Sequence, residues 1–186
     1  DVNYDFGYES LFDVDYNGNI KYVESIDLSH FDTSLATSFS KMFKGCTSLK
    51  TVNLSYINSS RVTDMSMMFY GCSSLISADL SNFNTSNVIN TRQMFEECSS
   101  LVVIDLLYFN LDKVTDSTNM FWNINFNIKY LNLYHTRDKN NIIQKSSING
   151  AYYLTVCQQE KLINNTRSTY TCCDFNIEKG ICEINY

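Results

Sequence analysis

Five polar residues recur at one position of a repeating pattern in this chain: Asp27, Asn53, Asp79, Asp105 and Asn132. If they fall on parallel strands stacked at about 4.8 Å, the carboxylates of Asp79 and Asp105 repel unless a cation, a proton or a hydrogen-bonding ligand lies between them. A calcium ion or a glycan hydroxyl would suit such a row, and a solvated or mutually hydrogen-bonded Asp/Asn ladder is its plain alternative. Tyr108, Tyr130 and Tyr134 fall beside Asp105 and Asn132, where ring faces and hydrogen-bonding groups together suit a sugar or a protein hot spot. The competing reading is that a terminal cap packs over those rings.

The cysteines divide into two chemistries. Cys46, Cys72 and Cys98 share one repeat position, which Ile124 takes in the next repeat, so that position calls for apolar volume more than thiol reactivity. No His or acid shares it, which makes a metal site the poorer alternative. Cys157, Cys172, Cys173 and Cys182 lie beyond the repeats. An even number in a short segment reads as two disulfides, with Cys172 and Cys173 reaching different partners because vicinal pairing is strained. Two disulfides imply an oxidising compartment.

These residues are positioned by a repeat of 26 residues. KMFKGCTSLKTVNLS at 41–55 returns as MMFYGCSSLISADLS at 67–81 and as QMFEECSSLVVIDLL at 93–107. Met-Phe pairs recur at Met42-Phe43, Met68-Phe69, Met94-Phe95 and Met120-Phe121, and the string Leu49-x-x-Val52-x-Leu54 has the spacing of leucine-rich repeats. Alternation around Ile26 and Leu28 predicts short strands with Ser25, Asp27 and Ser29 facing out. Ser38, Asp64, Asn90 and Asp116 are good helix N-caps, and Gly45 and Gly71 suit helix ends, so each repeat is expected to carry a short helical turn on the far side. The predicted fold is therefore α/β: a leucine-rich-repeat solenoid with a parallel sheet on one face and short helical turns on the other, plus a disulfide-stapled C-terminal cap. Its expected divisions are an N-terminal cap at 1–19, four to five coils over 20–136 and a cysteine-containing cap at 137–186.

The run Leu80-Ser81-x-Phe83-x-Thr85-Ser86-x-Val88, together with Val62-Thr63-Asp64-Met65-Ser66-x-Met68-Phe69-x-Gly71-Cys72, resembles the BspA-like leucine-rich repeats of surface proteins from bacteria and anaerobic protists. The resemblance covers about 23 to 135. It implies a secreted or cell-surface protein used in adhesion or recognition, and it carries over no catalytic residue.

Composition is consistent with a folded extracellular domain. The chain has 186 residues, 44% hydrophobic and 18% charged content, and a net charge of −6. Such an acidic balance without a Lys/Arg patch argues against nucleic acid and anionic membrane surfaces. No apolar run approaches the ~18 residues that a spanning helix needs. The start at Asp1, without Met or an apolar leader, suggests a removed signal peptide or an excised fragment. Motifs for nucleotide binding, zinc hydrolysis and acyl transfer are absent apart from Ser38-x-x-Lys41, whose counterparts Asp64 with Met67 and Asn90 with Gln93 reduce it to a coincidence of letters. No enzyme activity and no cofactor are expected. Sequons at Asn58, Asn84 and Asn164 are the better glycosylation candidates, since Asn53 falls on a strand. The expected partner is a protein or glycan on another cell or in the matrix. The alternative role is a self-assembling structural subunit of a surface fibre or coat, since end-to-end contacts that do not close make filaments.

Overall fold

The computed structural model describes residues 23–106 and 109–124, and the backbone of the strands at 130–132, 153–159, 170–176 and 181–183. The apolar alternation yields strands of three residues each: β1 (Ser25–Asp27), β2 (Thr51–Asn53), β3 (Ser77–Asp79), β4 (Val103–Asp105) and β5 (Tyr130–Asn132). β1 pairs with β2 and β3 with β4 in parallel, each residue opposite the one 26 positions on, as Ile26 faces Val52 and Ala78 faces Ile104. The tail adds β6 (Tyr153–Gln159), parallel to β5, and then β7 (Tyr170–Asn176) and β8 (Ile181–Glu183), which run antiparallel.

Three parts of the expected α/β architecture are corrected. No helix occurs among the described residues, whose regular elements are all strands. The strands do not form one continuous sheet: β1 and β2 make a two-stranded sheet, and β3 to β8 a separate six-stranded one. No disulfide occurs among the described residues, and the segment expected as a separate cap supplies the strands β6–β8, which extend the second sheet. The side chains of Cys157, Cys172, Cys173 and Cys182 lie outside the described residues, although the backbone register sets Cys157 opposite Cys172. The leucine-rich-repeat solenoid with helical turns is therefore not the architecture of this chain.

The missing helix has a clear physical cause. In a helix each N–H bonds back along its own chain. Here Phe39, Lys41, Phe43 and Gly45 instead donate to Asp64, Ser66, Met68 and Tyr70 of the following repeat, at 2.8–3.0 Å. The intervening Met42, Lys44 and Cys46 donate back to Phe39, Lys41 and Phe43. The next repeat follows the same pattern, with Met67 donating to Arg92 and Phe69 to Met94. This two-residue alternation requires left-handed backbone at fixed places: Lys41, Met67, Gln93 and Asn119 have φ of 54–64° with Glu97 and Asn123, and Gly45 and Gly71 have 76° and 72°. Glycine adopts that region without strain, which accounts for the two glycines better than a helix end does. Ser38, Asp64, Asn90 and Asp116, expected as helix caps, are joined to one another by single parallel bridges.

The core lies between the strands and these turns. Met42, Phe43, Met68, Phe69, Met94, Phe95, Met120 and Phe121 are fully buried. Phe43, Phe69, Phe95 and Phe121 stack as a column, with ring centroids 5.2, 5.4 and 5.8 Å apart and interplanar angles of 15°, 4° and 7°. Identical side chains in successive repeats are brought together by the strand spacing, and offset stacking is a favoured aromatic geometry.

Candidate functional site

In the Asp/Asn row, Asp27, Asn53 and Asp79 cap turns. Asp27 Oδ1 accepts the Ser29 N–H at 2.9 Å and the Asn53 side-chain amide at 3.1 Å. Asn53 Oδ1 accepts from Ser55 N–H and Asp79 Oδ1 from Ser81 N–H. The bond from the Ser29 backbone is the main reason the Asp27 carboxyl titrates below its ordinary range. Asp79 is exposed, and the backbone register sets it opposite Asp105. The side chains of Asp105, Asn132 and Tyr130 lie outside the described residues, as do Tyr108 and Tyr134 altogether, so the aromatic end of the expected patch is not placed.

Two further columns of the same chemistry run along the molecule. Asp32, Asn58, Asn84 and Asn110 accept from the N–H groups of Ser34, Ser60, Ser86 and Asp112. Ser38, Asp64, Asn90 and Asp116 accept from Ser40, Ser66, Arg92 and Thr118. Asx and Ser/Thr turns at each corner explain why D/N-x-S/T is so frequent here. Asp116 is also held below the usual carboxylate range, chiefly by the Thr118 N–H, with Arg92 at 3.8 Å adding to it. Between two of these columns, buried hydroxyls connect repeats: Thr33 Oγ1 donates to Asn58 O and accepts from Asn58 N, and Ser59 does the same with Asn84. The sequons at Asn58 and Asn84 sit on this edge with exposed side chains, each accepting a bond from its own sequon serine, Ser60 or Ser86. Asn164 lies outside the described residues.

Cys46, Cys72 and Cys98 are buried free thiols. Cys72 Sγ donates to Phe43 O and Cys98 Sγ to Phe69 O, both at 3.1 Å. Burial pushes both thiols well above their ordinary pKa. No group of three His, Cys, Asp or Glu side chains suited to a metal occurs among the described residues. We expect an aromatic disulfide reagent at pH 8 to leave these three thiols unmodified until denaturant is added; rapid labelling of any of them in the native protein would contradict their placement. Because the folded thiols of Cys72 and Cys98 titrate above the unfolded ones, their share of stability is complete below the unfolded pKa of about 8.5 and is lost as pH rises towards the folded value.

A column that the sequence reading did not single out contains Lys44, Tyr70, Glu96 and Trp122, again at 26-residue spacing. Its mixture of charge and aromatic rings at one repeat position was the available signal. Consecutive members are tied by the backbone, with Gly45 N–H donating to Tyr70 O, Gly71 to Glu96 and Glu97 to Trp122.

Residues 12–134 match the family described as Mycoplasma protein of unknown function, DUF285; the match spans more than half of the 186 residues, and the chain belongs to that family. No curated protein and no solved structure matches it. Among the described residues no helix is long and apolar enough to cross a membrane.

Proposed function

We propose that this chain is a non-catalytic recognition module that works outside the cell, presenting a face of its short parallel strands to a protein or glycan. The observation that carries this reading is the regular exposure of Ser25 and Asp27, Thr51 and Asn53, and Asp79 around the inward-facing strand centres. The side-chain acceptors of Asp27, Asn53 and Asp79 are held by neighbouring N–H groups, so these polar groups are displayed in fixed positions with little ordering cost on binding. Tyr56, 70% exposed just beyond β2, adds an aromatic anchor of the kind that dominates interfaces. The resemblance of the repeats to those of BspA-like surface proteins points the same way.

The test is a labelled preparation of the whole chain applied to a glycan array and to a panel of matrix and cell-surface proteins. Saturable binding is expected, weakened at least about tenfold by the combined Tyr56→Ala and Asn53→Ala substitutions in protein that circular dichroism shows still folded. Binding indifferent to these changes, or a purified protein that forms filaments and binds nothing, would sink the proposal.

A further inference from the structure

Glu96 is only 6% exposed, and its Oε2 has no hydrogen-bond partner among the described residues. A buried carboxylate oxygen without a partner leaves room for a donor or a cation, and no ion pair to Glu96 occurs among the described residues. Its neighbours in the column are Tyr70, one repeat before, and Trp122, one repeat after; both are half-buried. Two repeat spacings put the two residues about 10 Å apart along the stack, so a cation midway would lie within the ~6 Å over which an aromatic ring attracts it. Tyr70 already draws one cation from inside the chain, since Lys44 Nζ lies 5.5 Å from its ring centroid. The negative potential at this edge also registers on the tyrosine, whose hydroxyl titrates above its ordinary range through burial first, then Glu97 and Glu96.

We propose that Tyr70, Glu96 and Trp122 form a binding site for an organic ammonium group, with the two rings as walls and the buried carboxylate as its counter-charge. The same chemistry would accept a lysine side chain presented by a peptide or a quaternary-ammonium headgroup. A sodium ion, strongly hydrated and without alkyl surface, is a poorer fit for ring faces. The site lies at the turns rather than on the strand face of the proposed function, so either can fail without the other.

Trp122 is the chain's single tryptophan, which makes its fluorescence a direct reporter. The whole protein is titrated separately with tetramethylammonium chloride, with N-acetyl-lysine methylamide and with sodium chloride at matched ionic strength. A saturable change is expected with at least one of the organic cations and not with sodium chloride. Response to tetramethylammonium alone identifies a methylated headgroup as the ligand type, and response to the lysine probe alone identifies a basic peptide. Glu96→Gln, which keeps the shape and removes the charge, should weaken that response at least about tenfold. Tyr70→Leu, followed by the same fluorescence, should weaken it too and serves if the glutamine variant does not fold. No saturable response, a response equal to that of sodium chloride, or one that survives either substitution in the folded protein would overturn the site.

Discussion

Truncating Phe69 to alanine will lower the free energy of unfolding by about 3–5 kcal/mol, as expected for deleting a fully buried ring from a close-packed core. Against a total stability of about 5–15 kcal/mol, that removes a large share of what holds the domain together. Phe69 is the most consequential choice because it stacks on both sides, 5.2 Å from Phe43 and 5.4 Å from Phe95. Phe69→Leu retains most of the apolar volume and isolates the loss of ring stacking, about 1–3 kcal/mol over the two pairs. A double-mutant cycle with Phe95→Leu should return a coupling of about 0.5–1.5 kcal/mol. Denaturant unfolding followed by circular dichroism gives all of these values. A drop below about 1 kcal/mol for Phe69→Ala would mean that the phenylalanine column is not the centre of the core.

Burial was easy to read in this chain, and backbone direction was not. The period of 26 put each Met-Phe pair and each cysteine of the repeats into a file, and a file of identical apolar residues can only be accommodated where neighbours stack on one another; these residues are buried in the structure. The strand centres followed from two-residue alternation, which is a property of the side chains themselves. The helical turns did not follow, because Ser38, Asp64, Asn90 and Asp116 cap an Asx or Ser/Thr turn with the same bond to residue i+2 whether a helix comes next or not. What decides the outcome is where the next N–H groups find acceptors, and here Phe39, Lys41, Phe43 and Gly45 find them in the following repeat, at a distance in sequence that no local propensity encodes. The Asp/Asn row carries a second, local task that its spacing alone does not reveal. Its residue types suit a ligand, and in Asp27, Asn53 and Asp79 a side-chain oxygen also accepts from the turn that ends the strand. Glu96 escaped notice because a lone glutamate looks like surface until its burial and its aromatic neighbours in the adjoining repeats are placed in space.

Gln93→Pro will abolish stable folding or cost about 3 kcal/mol or more, whereas Gln93→Gly will raise stability by up to about 1 kcal/mol. Gln93 has φ of 57°, a region that a proline ring locked near −65° cannot enter, and its N–H donates to Thr118 O at 2.9 Å, a bond that proline removes. Glycine accepts the left-handed backbone freely, relieving about 1–2 kcal/mol of strain and returning about 0.4–1 kcal/mol through the greater freedom of the unfolded chain. The sign of the glycine effect separates the observed turn from the helical turn that the capping residues suggested, since glycine inside a helix costs about 1 kcal/mol. Gln93→Asn supplies a milder form of the test: asparagine tolerates this conformation, and the chain already uses it at Asn119, where φ is also 57°. Thermal and denaturant unfolding of the three variants against the parent protein measures all three effects. A destabilising glycine together with a tolerated proline would place Gln93 in right-handed backbone and undo the alternating bonds that join one repeat to the next.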